Sequence, residues 1–357
     1  MSAAVYFSRD YAEARAKFVT AAEAAGGALG TYVNPGALGP DGEELATDVA
    51  RFGPVSASRL FLVNSGTHGV EGFCGSGCQI GLLALGFHRR LPADTALVLS
   101  HAINPYGFAW SRRVTEDNVD LNRNFVDHDT IGTPNAGYAE IHDLLIPADW
   151  NGPARKAADL AIAAYVAKNG IRAYQSAVSG GQYQFSDGLF YGGTRPTWSN
   201  VTFKEIVRRH LGHARAYAFI DLHTGLGPSG YGEPIHVGPD YATTTLWFGD
   251  DATRIEAGES SSAVVHGSID TPLLHLTAEK GAGIALEFGT LPINDVIDSL
   301  RADHWMHKHG DPRSAEGARH RARLRAAFFT DTDDWKEKVL ARTVEKVERA
   351  MKHLGAA

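Results

Sequence analysis

The stretch RLFLVNSGTHGVEGFCGSGCQIGLLALGF, residues 59–87, joins a buried strand to a helix across a turn that contains glycine. The first part, RLFLVNSG, has the apolar run of a buried strand, and EGFCGSGCQIGLLALGF has apolar residues at helical spacing. His68 and Glu71 therefore lie on the turn between the two elements, at the edge of the predicted sheet. In α/β folds that edge is where ligands bind.

Strand and helix patterns alternate along the rest of the chain. Strands are predicted at TYVN, LATDVARF, 96–103, 216–224 and 283–289, and helices at 8–25, 153–169, 200–211 and from about residue 291. The alternation predicts a three-layer α/β/α fold around a central mixed, mostly parallel sheet. Because no repeat or long linker divides the chain, we expect one domain over residues 1–357.

Composition limits the classes of partner and compartment. The formal net charge is −7, 44% of the residues are hydrophobic, and no basic run is interleaved with aromatic residues, so nucleic acid and anionic membranes are not expected partners. Neither a signal peptide nor eighteen continuous apolar residues is present, which favours a cytoplasmic protein. Cys74 and Cys78, four residues apart on the predicted helix, are expected to be buried, reduced thiols.

Four separated segments place polar side chains at the carboxyl end of an apolar strand or in the loop beyond it. They are His68 with Glu71, the irregular stretch NPYGFAWSRRVTEDNVDLNRNF (104–125), FIDLHTG with Asp221 and His223, and ALEFGT with Glu287. Each lies where α/β proteins bind ligands.

These residue types are those of a metal-assisted amide hydrolase. Two imidazoles and a carboxylate suit a catalytic zinc site, which needs three protein ligands and an open position for water. A second carboxylate would serve as general base, and arginines would bind a substrate carboxylate or stabilise an oxyanion. A lone H-x-x-E is common by chance, but Glu287 in an apolar strand is more informative because an unpaired buried carboxylate is costly.

The order GTHGVEG, NPYGF, VDLNRNF, IDLHTG and LEFGT, over residues 64–290, resembles the zinc carboxypeptidase superfamily known as family M14. Within it the chain is most similar to the branch labelled DUF2817, itself similar to the succinylglutamate desuccinylase and aspartoacylase group. The resemblance implies a zinc-carboxypeptidase-like fold and a metallopeptidase of carboxypeptidase type. Its activity would be zinc-dependent hydrolysis of a C–N amide bond in a small molecule or short peptide with a free carboxylate.

The resemblance also implies roles for individual positions. The matching residues are His68, Glu71 and His223 for zinc, Glu287 for the general base, and Asn122 and Arg123 for the substrate carboxylate. The arginine that polarises the scissile carbonyl is expected just upstream, where Arg112 and Arg113 are adjacent. Arg113 is preferred for the carbonyl, with Arg112 as a substrate-binding residue. Asp221 is expected either to anchor His223 or to cap the strand end.

Several alternatives stay open at this point. The digestive carboxypeptidases carry a mobile tyrosine upstream of the catalytic glutamate, and this sequence shows no clear counterpart: His266 is the nearest upstream residue of a suitable type, and Tyr231 and Tyr241 lie further off. An N-acyl amino acid deacylase of the aspartoacylase type is a second enzymatic hypothesis. A binding module that retains the fold without turnover is a hypothesis of another class.

Three further patterns have simpler interpretations. GLGPSG (225–230) matches a dinucleotide-binding pattern, but the following YGEPIHVG does not predict the required helix, so its glycines are interpreted as letting the backbone approach the metal site. HWMHKHG (304–310) is interpreted as a surface histidine cluster rather than a second metal site. The Gly-rich and aromatic segment 179–200 is interpreted as a functional loop that could form a pocket wall.

Overall fold

The computed structural model of the protein describes residues 2–131 and 134–357, and its centre is a mixed β-sheet. The strands are β1 (Ala28–Leu38), β2 (Glu44–Phe52), β3 (Arg59–Ser65), β4 (Thr95–His101), β5 (Ala216–Ser229), β6 (Gly232–His236) and β7 (Lys280–Gly289). Their order in the sheet is β1-β2-β4-β3-β5-β7-β6. The four central strands, β4, β3, β5 and β7, are parallel to one another. On one side β2 pairs antiparallel with β4 and with β1, and on the other side β6 pairs antiparallel with β7.

Helices surround this sheet. They are α1 (Tyr11–Ala24), α2 (Gly72–Ala84), α3 (Pro105–Ala109), α4 (Ala136–Leu145), α5 (Pro153–Asn169), α6 (Ile171–Ser179), α7 (Trp198–Leu211), α8 (Tyr241–Phe248), α9 (Thr271–Leu274), α10 (Ile293–His309), α11 (Ala315–Phe328) and α12 (Asp333–Leu354). Within the described ranges, no helix is both long enough and apolar enough to cross a membrane.

The two faces of the sheet are buried under different helices, because successive residues of a strand point to opposite sides. On one face, Phe61 and Val63 of β3 belong to the core formed with α1, α2 and α12. On the other face, Leu60 and Leu62 pack in the core formed with α7. The predicted α/β/α fold class is confirmed, with the parallel strands at the centre of the sheet.

Some elements differ from the sequence prediction. β6 was not predicted because GEPIH is short and contains Pro234, yet β6 is an edge strand, where proline is tolerated. α8 was not predicted because its run of threonines disfavours a helix, but Asp240 caps it by accepting a hydrogen bond from Thr243 N at 2.8 Å.

The prediction that HWMHKHG forms a surface histidine cluster is wrong for its first histidine, His304. His304 lies on the inner side of α10 and is buried, with Nδ1 2.9 Å from Leu300 O. Burial lowers the pKa of His304 to about 4, so its imidazole is neutral at physiological pH. The seven-residue segment spans both sides of the helix end, because His309 is exposed.

Candidate active site

Neighbouring parallel strands bring three of the predicted site residues to one edge of the sheet. His68 follows the end of β3, and His223 in β5 lies directly opposite Glu287 in β7. The carboxyl ends of these strands open at the same edge, and all three side chains line one cavity.

A tight turn brings Glu71 to the same place. A 3₁₀ helix, Gly69–Glu71, follows His68, and Glu71 N donates to His68 O at 3.0 Å. A Cβ atom at Gly69 would collide with the backbone of Gly107. Glycine is therefore required here for the turn to lie against α3.

His68, Glu71 and His223 form a group suited to a metal ion. One potential ligand atom from each lies within 4.8 Å of the other two, and all three residues are buried. Nδ1 of His68 has no hydrogen-bond partner among the described residues, and such an orphaned buried nitrogen fits a metal ligand. Two imidazoles and one carboxylate suit a divalent cation that accepts nitrogen and oxygen ligands.

Two aspartates lie behind the imidazoles. Nε2 of His223 is 2.6 Å from Asp221 Oδ2, while Nδ1 of the same ring is 3.1 Å from Glu71 Oε2. Asp221 is itself held by Thr67 Oγ1 at 2.9 Å and by the amide of Asn64 at 2.8 Å. Asp221 therefore fixes the orientation of the His223 ring, which is the first of the two roles expected for this residue.

The second aspartate, Asp120, lies beside His68. Its Oδ1 is 3.5 Å from His68 Nδ1, and its Oδ2 accepts a hydrogen bond from Arg113 Nε at 3.0 Å. The sequence prediction gave Asp120 no role, although its position two residues before Asn122 placed it in the same segment.

The charges around the two imidazoles differ. Burial opposes protonation of His223, but the Asp221 and Glu71 carboxylates outweigh it and raise the pKa of His223 well above its usual value. Burial and the Arg113 charge lower the pKa of His68 well below its usual value. The side of the site nearest Asp221 thus attracts positive charge.

Glu287 is a buried carboxyl group with one clear donor. Its Oε1 accepts a hydrogen bond from Leu226 N at 2.9 Å, directly after Gly225. Burial and the neighbouring Glu71 charge raise the pKa of Glu287 to about 8. A carboxyl group that titrates near neutral pH is suited to accept and return a proton.

The two adjacent arginines point to different places. Arg113 lines the cavity and donates from Nη1 to Glu71 Oε1 at 3.1 Å, and its Nη2 lies 2.7 Å from His68 Nε2. Arg112 is buried away from the cavity lining and is bound by Asp303 at 2.8 Å and Asn118 at 3.2 Å. The structure therefore does not bring Arg112 to the cavity, because a buried carboxylate on α10 holds its guanidinium.

Asn122 and Arg123 line the cavity beside the three potential ligands. Oδ1 of Asn122 accepts a hydrogen bond from Ile269 N at 2.9 Å, which leaves its amide nitrogen available. Arg123 is only 3% exposed and donates to the carbonyls of Asn122 at 3.0 Å and Ser179 at 2.5 Å. No carboxylate of the described chain forms an ion pair with Arg123, so an anionic ligand would supply the missing partner.

The cavity has a volume of about 410 Å³ and combines this polar end with apolar walls. Strand residues such as Phe219, Ile235 and Ala285 form part of its lining. Asp270 also lines it, and burial raises the pKa of that carboxyl to about 6. The sequence analysis did not single out Asp270, which directly precedes α9.

None of the three residues considered as a counterpart of the mobile tyrosine, His266, Tyr231 and Tyr241, lines this cavity. The loop predicted at 179–200 does contribute a wall through Phe190, which the sequence did not single out. Among the described residues, no second group of metal-ligand side chains comes together near HWMHKHG.

The chain matches one family model and is similar to several solved structures. The family model described as "Protein of unknown function (DUF2817)" matches residues 7–342. No curated protein matches the sequence.

The solved structures are similar at low sequence identity. Bovine thrombin-activatable fibrinolysis inhibitor, in complex with tick carboxypeptidase inhibitor, is 13% identical over 98% of this chain and 97% of that chain, with a TM-score of 0.44. Carboxypeptidase A from Helicoverpa armigera is 15% identical over 89% of this chain and 74% of that one, with a TM-score of 0.44. An aspartoacylase family protein from Mesorhizobium loti is 15% identical over 78% and 66%, with a TM-score of 0.34.

Proposed function

The chain belongs to the DUF2817 family, and on that premise we propose that it is a zinc-dependent hydrolase of a C–N amide bond, of carboxypeptidase type. The substrate is a small molecule or short peptide with a free carboxylate. The observation that carries the proposal is the grouping, around one cavity, of His68, Glu71 and His223 with Glu287 and Arg123.

His68, Glu71 and His223 are the residues that would hold the metal. Zinc in such a three-ligand site supplies a Lewis acid that polarises a carbonyl oxygen and makes water more acidic. Asp221 keeps the His223 ring in a fixed orientation, with Nε2 bonded and Nδ1 facing Glu71. The two imidazoles and the carboxylate are thus oriented before substrate arrives.

Glu287 carries the proton in the proposed reaction. It takes a proton from the attacking water and returns it to the nitrogen of the leaving amine. The backbone N–H of Leu226 holds one of its oxygens and leaves the other for this transfer. Arg113, at the same end of the cavity, donates to the oxygen of the scissile carbonyl as negative charge develops there.

Arg123 and the Asn122 amide bind the free carboxylate of the substrate. Arg123 is buried and lacks an ion-pair partner within the described residues, so a carboxylate would satisfy both its charge and its donors. This contact fixes the distance between the carboxylate and the bond that is cut.

The cavity lining favours the carboxypeptidase hypothesis over a deacylase that acts on acidic acyl groups. Arg113 and Arg123 are the arginines of the lining, which contains no lysine among its described residues. Arg113 is already bonded to Glu71 and Asp120. One unpaired cation therefore remains, which suits one substrate carboxylate rather than two.

The first experiment is elemental analysis of the purified protein beside the variants His68→Ala and His275→Ala. His275 is an exposed histidine that does not line the cavity and serves as the matched control. We expect about one zinc per chain in the wild type and in His275→Ala, and loss of zinc in His68→Ala.

The second experiment is hydrolysis of C-terminally free peptides, the same peptides amidated, and N-acyl amino acids. Turnover of the free peptides alone supports the carboxypeptidase proposal, and turnover confined to N-acyl amino acids supports the deacylase. A protein that takes up no zinc and hydrolyses none of these substrates would instead be a binding module.

A further inference from the structure

Phe190, in the loop between α6 and α7, has an unusual backbone conformation. Its φ angle is +52°, in the left-handed region, and its side chain is 7% exposed and lines the cavity. A bulky residue in that region is strained, and glycine or asparagine would hold the same turn at lower cost.

The turn that presents Phe190 is fixed by one amide side chain. Nε2 of Gln182 donates to Phe185 O at 2.8 Å and to Leu189 O at 3.3 Å, while its Oε1 accepts from the backbone of Gln184 and Phe185 at 2.9 and 2.8 Å. The backbone N–H of Gln182 also donates to Phe190 O at 3.1 Å. Phe190 cannot relax its φ angle without disturbing these bonds.

The ring of Phe190 lies against two arginines of the candidate active site. The guanidinium carbon of Arg113 is 5.2 Å from the ring centroid, and that of Arg123 is 5.7 Å from it. Both distances are within the range of a cation–π contact. Phe190 thus touches the proposed carbonyl-polarising and carboxylate-binding residues at once.

The two arginines need this contact to different degrees. Arg113 has carboxylate partners in Glu71 and Asp120. Arg123 has backbone carbonyl acceptors, and its Nε is buried without a partner in the described chain. The charge of the nearby Asp120 carboxylate partly offsets the burial of Arg123, and the electron-rich face of the Phe190 ring adds a contact that competes with none of its hydrogen bonds.

We propose that Phe190 is a positioning residue, whose ring holds the Arg123 guanidinium in place for the substrate carboxylate. The inference rests on the proposed function, because it assigns Arg123 to a carboxylate. A carboxylate ligand would bind the N–H groups at the edge of the guanidinium and would not compete with the ring, whose contact uses none of these donors.

The test compares Phe190→Leu, Phe190→Tyr and Phe185→Leu with the zinc-loaded wild type. Phe185 is the matched control because it lies in the same turn but stacks on His142 instead of the arginines. For peptides with a free carboxylate, we expect Phe190→Leu to raise KM about tenfold with kcat nearly unchanged, the order of a desolvated cation–π contact. Phe190→Tyr, which keeps the ring, should restore KM, and amidated peptides should show no difference.

Binding separates this inference from the proposed function. Calorimetry with N-acetylleucine as the probe should show the same loss of affinity in Phe190→Leu, whether or not any substrate is hydrolysed. Unchanged KM and affinity in a folded Phe190→Leu protein, or equal losses in Phe185→Leu, would overturn the role of Phe190 and leave the hydrolase proposal standing. Absence of turnover in the wild type, with affinity still lowered by Phe190→Leu, would overturn the hydrolase and not the role of the ring.

Discussion

His223 and Glu287 are directly opposite residues on two adjacent parallel strands, β5 and β7. Residues opposite each other in a sheet point to the same face, so both side chains reach the cavity without an intervening loop. By contrast, Arg113 and Phe190 come from loops, and Arg123 ends a short 3₁₀ helix, Leu121–Arg123. The proposed base and one proposed ligand are thus held by the sheet, which positions side chains more rigidly than loops do.

Glu287→Gln tests the assignment of the general base. The variant keeps the size of the side chain and removes its ability to accept a proton, so we expect kcat to fall by about 10²–10⁴-fold with zinc content unchanged. Steady-state kinetics and elemental analysis measure both. The control is Glu233→Gln. Glu233 lies opposite Glu287 on the neighbouring strand β6, but its carboxylate is bound by Thr253 and Ser261 and has no part in the proposed reaction. Near-full turnover in Glu287→Gln would show that another group is the base.

Asp221→Asn tests the support of a proposed zinc ligand. Loss of the charged acceptor 2.6 Å from His223 Nε2 should weaken zinc binding by about 10–100-fold while the protein stays folded. Competition with a chromophoric chelator measures the affinity, and circular dichroism checks the fold. The exposed Asp334, changed to Asn, should leave the affinity unchanged. Equal affinities in Asp221→Asn and the wild type would contradict the anchoring role.

Arg123→Gln tests the proposed carboxylate site. Charge-assisted hydrogen bonds of about 2 kcal/mol would be lost, so KM for a peptide with a free carboxylate should rise about 30-fold. The amidated peptide, which lacks the carboxylate, should be hydrolysed equally by the variant and the wild type. If the variant discriminates between the two peptides as strongly as the wild type does, the carboxylate is bound elsewhere.

Gly69→Ala tests the close packing that positions Glu71. A methyl group at Gly69 would collide with the Gly107 backbone, and overpacking of this kind costs about 1–3 kcal/mol. We expect a lower melting temperature and weaker zinc binding. At Gly30, on β1, an added Cβ meets nothing within 4 Å, so Gly30→Ala is the matched control. A Gly69→Ala protein as stable as Gly30→Ala would show that the turn can move.

Asp270→Asn tests the buried carboxyl group of the cavity wall. Burial raises the pKa of Asp270 to about 6, so the folded protein holds this proton more tightly than the unfolded chain, whose aspartate pKa is about 3.9. Ionisation of Asp270 therefore lowers the free energy of unfolding as pH rises from about 4 to 6, by about 3 kcal/mol in total. With a chelator present, Asp270→Asn should raise the melting temperature at pH 8 and lose that advantage near pH 4. If the melting temperatures of Asp270→Asn and the wild type differ equally at pH 8 and pH 4, the raised pKa of Asp270 is contradicted.

The fold class and the order of most of its elements follow from the amino-acid sequence. Burial leaves a local pattern in the sequence: a strand buried on both faces is a continuous apolar run, such as LFLV in β3, and a helix has apolar residues at a period of 3.6, as in the segment that follows. The same reasoning placed His68, Glu71, His223 and Glu287 at the ends of buried strands. It did not detect β6, whose short proline-containing segment carries little such pattern.

The directions of the side chains and their contacts follow from the folded structure and not from any local pattern. Arg112 and Arg113 are adjacent and identical in type, yet one is bound by Asp303 and the other reaches His68 and Glu71. Phe190 meets Arg113 and Arg123 across more than sixty residues of chain. The physical reason is that hydrogen bonds and cation–π contacts depend on distance and orientation in space, which segments remote in sequence acquire only when the sheet and its loops have folded.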